Sequence, residues 1–295
     1  RDLEPALRLP VNVALDVGQQ LGEEERAPIS RELAQLSREI QQTLTWYQQQ
    51  HERVEQRSPW GVMHAMIAFE ADSVVRAKGQ AVNALGWLCW NGPCAGNQLM
   101  MVRRGGLMAR SGPGLQGHEG QFLAMLAQCG VRADNELRVS GQSFTVEDLV
   151  RYEQWNCHAG TELTFKLIGL SYYLDTDDQW ESSTGETWSL QRLIQEELKQ
   201  PVVGAACGGT HRMMGYSFAL RQREREGKAL DGQWARARKY VDDFIAYTYQ
   251  LQNPDGSFST LTEAVDAPAD LGIDTKRQRL LIPLFKQDKV IIQPY

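Results

Sequence analysis

Two segments of this chain share one design, and it restricts the fold more than any other feature. Residues 157–162 read CHAGTE and residues 207–211 read CGGTH. Each opens on small residues, reaches a polar side chain (Glu162, His211), and runs into an apolar stretch holding one glycine, Gly169 or Gly215. A glycine-rich turn frees backbone N–H groups, and the start of a helix leaves more of them unpaired. Polar side chains on such a turn therefore sit beside backbone donors, an arrangement suited to holding a ligand. Repetition at this interval is the mark of stacked helical units.

The rest of the chain is read against that pattern. Leu7, Leu9, Val11, Val13, Leu15 and Val17 fall at every second position, which predicts an extended arm; Pro10 places it at an edge. Residues 28–56 carry apolar side chains at three- and four-residue steps (Ile29, Leu33, Leu36, Ile40, Leu44, Tyr47) among glutamines and charges, a helix with one wet face. Drier helices are predicted over residues 60–71, 121–129 and 160–174, a further helix over 74–90, and wetter ones over 145–154, 188–199 and 231–252. Thr145 with Asp148 three residues on reads as a helix cap. Residues 98–108 suit a short hairpin, residues 139–144 a turn and residues 175–187 a loop, while residues 289–293 suit a strand or a docked arm. The polar residues at the starts of the drier helices, His64, Gln121, Glu162, His211 and Ser259, stand 57, 41, 49 and 48 residues apart. Dry helices inside and wet ones outside predict an all-α fold: an α/α toroid, or incomplete α/α barrel, of about five to six helical hairpins. It would form a single domain over residues 1–295, with an arm and first helix over 1–57, hairpin repeats over 58–260 and a C-terminal arm over 261–295.

Residues 252–258, QNPDGSF, resemble the Q-x-x-D-G-S-W/F element of the squalene cyclases and the prenyltransferase-like repeat proteins. In those families the element links an outer helix to an inner one, which is where it falls here. The resemblance implies the toroid, with the inner helices pointing their N-termini at one mouth. It does not by itself imply an activity.

At such a mouth the expected site residues are His211, Glu162 and Tyr216 for chemistry, and His64, Gln121, His158, Arg212 and Asp255 for ligand binding. An imidazole near neutrality moves protons, and Glu162 would orient it or take the complementary role. An organic ligand, a small molecule or an oligosaccharide, bound in a polar-rimmed cavity with or without being transformed there is the leading expectation. Asn156, His158, His211, Arg212 and Tyr216 also match the residue types that polysaccharide lyases use on acidic sugars, with Trp60, Trp155, Trp180 and Trp188 as stacking surfaces. The third expectation is a scaffold whose polar helix starts only cap. Residues 175–178 spell D-T-D-D, the acid motif of class II terpene cyclases, but they follow a helix end and are expected to be a solvated loop. Cys157, His158, Cys207 and His211 are zinc-type residues at spacings that match no known finger, so neither a metal nor a cofactor is expected.

Five cysteines form neither a dense disulfide framework nor a CxxC pair. Cys89 and Cys94 flank a tight turn, either as a local disulfide or as buried thiols; Cys157 and Cys207 are a second candidate pair. The formal charge of −6 argues against a nucleic-acid binder, which must neutralise phosphates. No apolar run reaches the roughly 18–20 residues of a membrane span. The compartment stays open, a secreted or periplasmic one being consistent with a leader removed before Arg1. The weakly patterned C-terminal arm is where a protein partner is expected.

Overall fold

A computed structural model describes residues 23–103, 106–201, 209–250, 252, 272–274, 279–284 and 289–294. The N-terminal alternation, Cys207, Asp255 and the QNPDGSF element beyond Gln252 lie outside the described residues. The chain divides into two compact units, residues 1–51 with 275–277, and residues 52–274 with 278–295. In the first, α1 (Glu23–Gln49) is a single helix that leaves Leu33, Ile40, Leu44, Trp46 and Tyr47 exposed.

The second unit contains all the remaining elements. A short strand β1 (Glu52–Arg53) precedes α2 (Pro59–Phe69), whose Ser58 cap accepts from the Gly61 N–H. The hairpin β2 (Val74–Ala77) and β3 (Gln80–Asn83) follows, β1 lying parallel to β2, and then α3 (Ala84–Cys89). Hairpin β4 (Met100–Arg103) and β5 (Gly106–Ala109) leads towards α4 (Gln121–Gln128). Hairpin β6 (Glu136–Val139) and β7 (Gln142–Thr145) feeds α5 (Val146–Trp155), and α6 (Thr164–Tyr173) comes next. Hairpin β8 (Gln179–Glu181) and β9 (Thr187–Ser189) feeds α7 (Leu190–Lys199). Helices α8 (Thr210–Arg225) and α9 (Gly232–Gln250) complete the helical part. An antiparallel sheet of β10 (Gly272–Asp274), β11 (Arg279–Leu284) and β12 (Lys289–Pro294) ends the chain, β11 in the middle.

The fold is thus mixed α/β, with its strands in small separate sheets, and the expectation of an all-α toroid of helical hairpins is overturned. The reason is local. Residues 74–90 do not form one helix, because Lys78 and Gly79 both adopt positive φ (50° and 80°), and Ser140 and Gly141 do the same (52° and 78°). Two consecutive left-handed residues make the turn that matches the twist of a hairpin. Strands of three or four residues are too short to show a clear period of two. Three of the four hairpins named above, β2–β3, β6–β7 and β8–β9, end on the residue that caps the next helix. Gly86 N–H donates to Asn83 Oδ1 at 2.8 Å, Thr145 N–H donates to Asp148 Oδ2 at 2.8 Å, and Arg192 N–H donates to Ser189 Oγ at 3.2 Å. Asn, Thr and Ser are there because a helix N-cap needs a short side-chain acceptor or an equivalent box.

Helix α6 is the centre of the unit, with every residue from Thr164 to Ser171 buried. It packs between α4 and α8. A Cβ built on Gly169 would lie 2.8 Å from Leu123 Cγ, and one on Gly215 would lie 3.0 Å from Thr164 Cγ2. Absence of a side chain is what lets these helices approach. At their N-terminal ends, Gly120 abuts the Lys166 backbone; at the other end Gly130 faces the Tyr172 hydroxyl and the Tyr172 and Phe218 rings stand 6.5 Å apart. The three helices therefore start at one pole. Gly169→Val should destabilise the protein by at least about 2 kcal/mol through overpacking against Leu123. Urea unfolding checks this, and an unchanged midpoint would mean the helices are not in contact there.

Candidate functional site

The pole where α4, α6 and α8 begin carries the most concentrated chemistry among the described residues. His118, three residues before α4, Glu162, two before α6, and His211, in the first turn of α8, place one donor atom each within 4.8 Å of one another. His118 Nδ1 and Glu162 Oε2 are hydrogen-bonded at 2.6 Å. The two imidazoles meet edge to face with centroids 4.9 Å apart, and the Phe165 ring stands 4.9 Å from one and 5.0 Å from the other. His211 is only 8% exposed and the His118 side chain 12%, whereas the Glu162 side chain is 40% exposed. The site thus has an apolar wall, two sheltered imidazoles and a carboxylate reaching solvent.

Local sequence explains why the groups meet. Gly120 and Gly209 are the N-caps of α4 and α8, both in the left-handed region (φ 79° and 78°), and neither supplies a capping side chain. The turn therefore swings the chain sharply into each helix and aims the preceding or following polar residue along the pole. A helix start favours negative charge by about 0.3–1 kcal/mol, which suits the Glu162 carboxylate.

Buried ion pairs fix these starts. Glu197 of α7, 1% exposed, accepts from the Leu163 N–H, from Thr164 Oγ1 at 3.0 Å and from Arg212 Nε at 2.9 Å. Burial acts to lower the Arg212 pKa, but the hydrogen bond and charge of Glu197 leave it raised. Lys166, fully buried on α6, holds Glu153 of α5 at 2.8 Å and Glu119 at 3.4 Å; here too burial opposes the charge and the two carboxylates outweigh it. Asn156 Nδ2 donates to Glu119 at 3.1 Å, tying the loop that carries His118 to the end of α5.

The expected site residues fall into separate groups. Glu162 and His211 meet. Gln121 accepts from the Gly117 N–H at 2.8 Å, which shapes the turn before His118. His64 stacks on Trp60 with centroids 3.8 Å apart and bonds the Trp60 carbonyl through Nδ1 at 2.8 Å. A Cβ on Gly117 would lie 3.3 Å from Trp60 Nε1, so this half-buried tryptophan stands one residue from His118. Arg212 and Tyr216 do not join His211. They lie on another side of α8, Arg212 on Glu197 and Tyr216 fully buried with its ring 5.7 Å from Tyr240. One residue on a helix is a 100° turn and five residues about 140°, so neither can share a face with His211. Burial pushes the Tyr216 hydroxyl pKa far above its usual value. His158 is half-buried and its carbonyl accepts from Thr161 Oγ1 at 2.8 Å. Asp255 lies outside the described residues.

His118 was absent from the sequence expectations. The signal was present as H-x-G: His118 precedes Gly120 by two residues, as His158 precedes Gly160. The polar position simply changes from two before the glycine in the first unit to two after it at Glu162 and His211.

The other sequence motifs have structural partners. Asp177 Oδ1 pairs with Arg223 Nη1 at 2.7 Å and Asp175 with Lys228, which together with Glu226 ties the D-T-D-D loop to the C-terminal end of α8. Hydrogen bonds from Lys228 and Arg223 lower the Asp175 and Asp177 pKa values. Arg223 is 12 residues beyond His211, about 18 Å along a helix, so this loop is remote from the pole. Of the tryptophans, Trp188 is buried in the core and Trp155 is 58% exposed. Cys89, Cys94, Cys129 and Cys157 are buried free thiols, so neither Cys89–Cys94 nor a bridge from Cys157 forms. Among the described residues no helix is long and apolar enough to cross a membrane.

Comparison with known proteins finds no family model, no curated protein and no solved structure that matches this chain.

Two outcomes follow from the buried groups. Glu197→Ala should cost about 3–5 kcal/mol, because it leaves the Arg212 charge buried and unpaired; a loss under about 1 kcal/mol in urea unfolding would contradict that. Burial raises the thiol pKa values to about 12 for Cys89 and Cys157 and about 11 for Cys94 and Cys129. The folded chain then keeps protons that the unfolded chain releases, so stability should fall as pH climbs from about 9 towards 11–12. Iodoacetamide at pH 8 should label these four thiols only after unfolding, as read by mass spectrometry.

Proposed function

We propose that the protein binds and transforms a small hydroxyl-bearing organic ligand at the shared start of α4, α6 and α8. The observation that carries this reading is the convergence of His118, Glu162 and His211, from three separate segments, within 4.8 Å at an end that reaches solvent. Gly120 and Gly209, not these residues, occupy the N-cap positions of α4 and α8, which favours a ligand-binding reading over a capping one.

The carboxylate has a defined part. With Glu162 bonded to Nδ1, the His118 ring is held in one orientation, and an Nδ1–H tautomer leaves Nε2 as an acceptor. A ligand hydroxyl is the natural donor to it. Trp60, next to the His118 turn and covered on one face by His64, would present its other face to the apolar side of such a ligand, as sugars require. An oligosaccharide fits the same chemistry as a free sugar. The acidic-sugar lyase set is less well supported, since Arg212 and Tyr216 are turned to the α7 and α9 side of α8.

Thermal-shift screening of neutral monosaccharides, uronic acids and prenyl diphosphates tests the reading. A sugar class should raise the midpoint of the wild-type protein. Glu162→Gln should weaken that binding by about tenfold or more while moving the unliganded midpoint by less than about 2 °C. The opposite pattern, lost stability with binding intact, would assign the groups to capping and reject the proposal.

A further inference from the structure

We propose that His118, Glu162 and His211 are the protein ligands of a divalent transition-metal site of the zinc type. The inference rests on the reading of this pole as the functional site, and adds the ion around which a bound hydroxyl would be organised. Two imidazoles and one carboxylate are a donor set that zinc takes when three protein ligands leave a further position for water or substrate. Here one donor atom from each residue lies within 4.8 Å of the others. Around a tetrahedral ion with bonds of about 2.0–2.1 Å, donors stand about 3.3 Å apart. His118 Nδ1 and Glu162 Oε2 are 2.6 Å apart. To admit an ion the Glu162 carboxylate, whose side chain is 40% exposed, swings away from Nδ1 by less than about 1 Å, and donors that stand up to 4.8 Å apart close in by up to about 1.5 Å. The ion takes His118 as its Nε2–H tautomer, Nδ1 giving its lone pair to the metal in place of the hydrogen bond to Glu162, and a ligand hydroxyl then meets the ion rather than Nε2.

The surroundings suit an ion as well as the donors do. Phe165 lies against both imidazoles, limits their rotation and keeps water from one flank. Imidazole nitrogen selects zinc-like ions over magnesium, which prefers an all-oxygen shell. Three helix starts oppose a bare cation, and the site answers with negative charge. Glu162 is within it, and Glu119, next in sequence to His118, has a 49% exposed side chain that only partly neutralises Lys166 at 3.4 Å. The open position is the one Glu162 borders, on the solvent side, where a hydroxyl would enter.

The test uses the full chain, stripped with EDTA and dialysed. Zn²⁺ is added alone, and bound metal is measured by equilibrium dialysis and elemental analysis; Co²⁺ is then used for its visible ligand-field bands. One Zn²⁺ per chain is expected, with micromolar or tighter affinity, and Mg²⁺ should not displace it. His118→Ala, His211→Ala and Glu162→Gln should each weaken Zn²⁺ binding by at least about tenfold and change or abolish the Co²⁺ bands. His51→Ala, in the other unit, should bind as the wild type does. Glu162→Gln alters charge and hardly any shape at an exposed position, so it stays informative if a histidine variant fails to fold. Failure to bind Zn²⁺, or wild-type binding by Glu162→Gln together with the His118→Ala/His211→Ala double variant, would overturn the proposal. Repeating the sugar thermal shifts in EDTA separates the two ideas. A shift that persists there and vanishes in Glu162→Gln keeps the ligand site and removes the ion; zinc bound with no sugar shift does the reverse.

Discussion

The Glu197 carboxylate is the contact on which the geometry of the pole depends. It is buried on α7, yet it reaches the N–H that opens α6, the hydroxyl of Thr164 and the guanidinium of Arg212 on α8. A buried charge without partners is costly, and one with three donors in good geometry is held in a single place. Glu162 immediately precedes Leu163, and His211 immediately precedes Arg212. Two of the three groups at the pole are therefore each one residue from an atom that Glu197 fixes. Lys166 does the same for the third, through Glu119 beside His118. The Glu162 carboxylate stays half-open to solvent while its neighbours are locked in the core.

Glycine makes the second contribution, and it works through absence. Gly169 and Gly215 bring α4, α6 and α8 close enough for their starts to share a site. Larger residues would spread the helices and separate His118 from His211. Gly120 and Gly209 adopt a backbone conformation that other residues avoid, and so direct the chain from loop into helix. Hairpins lie between the helices, and β2–β3, β6–β7 and β8–β9 each close on the N-cap of the helix that follows.

Much of the helical pattern was legible because burial leaves a strong period. Helix α6 was visible as residues 160–174, α7 as 188–199, and the Thr145 and Asp148 start of α5 by its capping residues. The hairpin over residues 98–108 was also read and forms as β4–β5, but the other three were not, since three- or four-residue strands give too few positions for alternation to register, and Lys78-Gly79 is a turn only when both φ values are known. Missing them led directly to the all-α expectation. At the pole, Glu162 and His211 stood out from the repeated turn, whereas His118 was masked by alignment on Gln121, three residues later. Arg212 and Tyr216 were misgrouped with His211 by proximity in sequence; a helical wheel separates them, and only the packing of α7 and α9 says which side is wet.

The spacing of the three polar groups has a consequence for how the molecule comes into being. His118, Glu162 and His211 are supplied in order along the chain, at the starts of α4, α6 and α8. A chain emerging from the ribosome holds two of them for the whole time that residues 163–210 are being added, and the pole is incomplete throughout. A chain that stops before His211 would therefore lack the third group of the proposed site. The start of α8 supplies that group and, through Arg212, the buried contact on Glu197. The same residue pair that completes the site reports that the core behind it has closed.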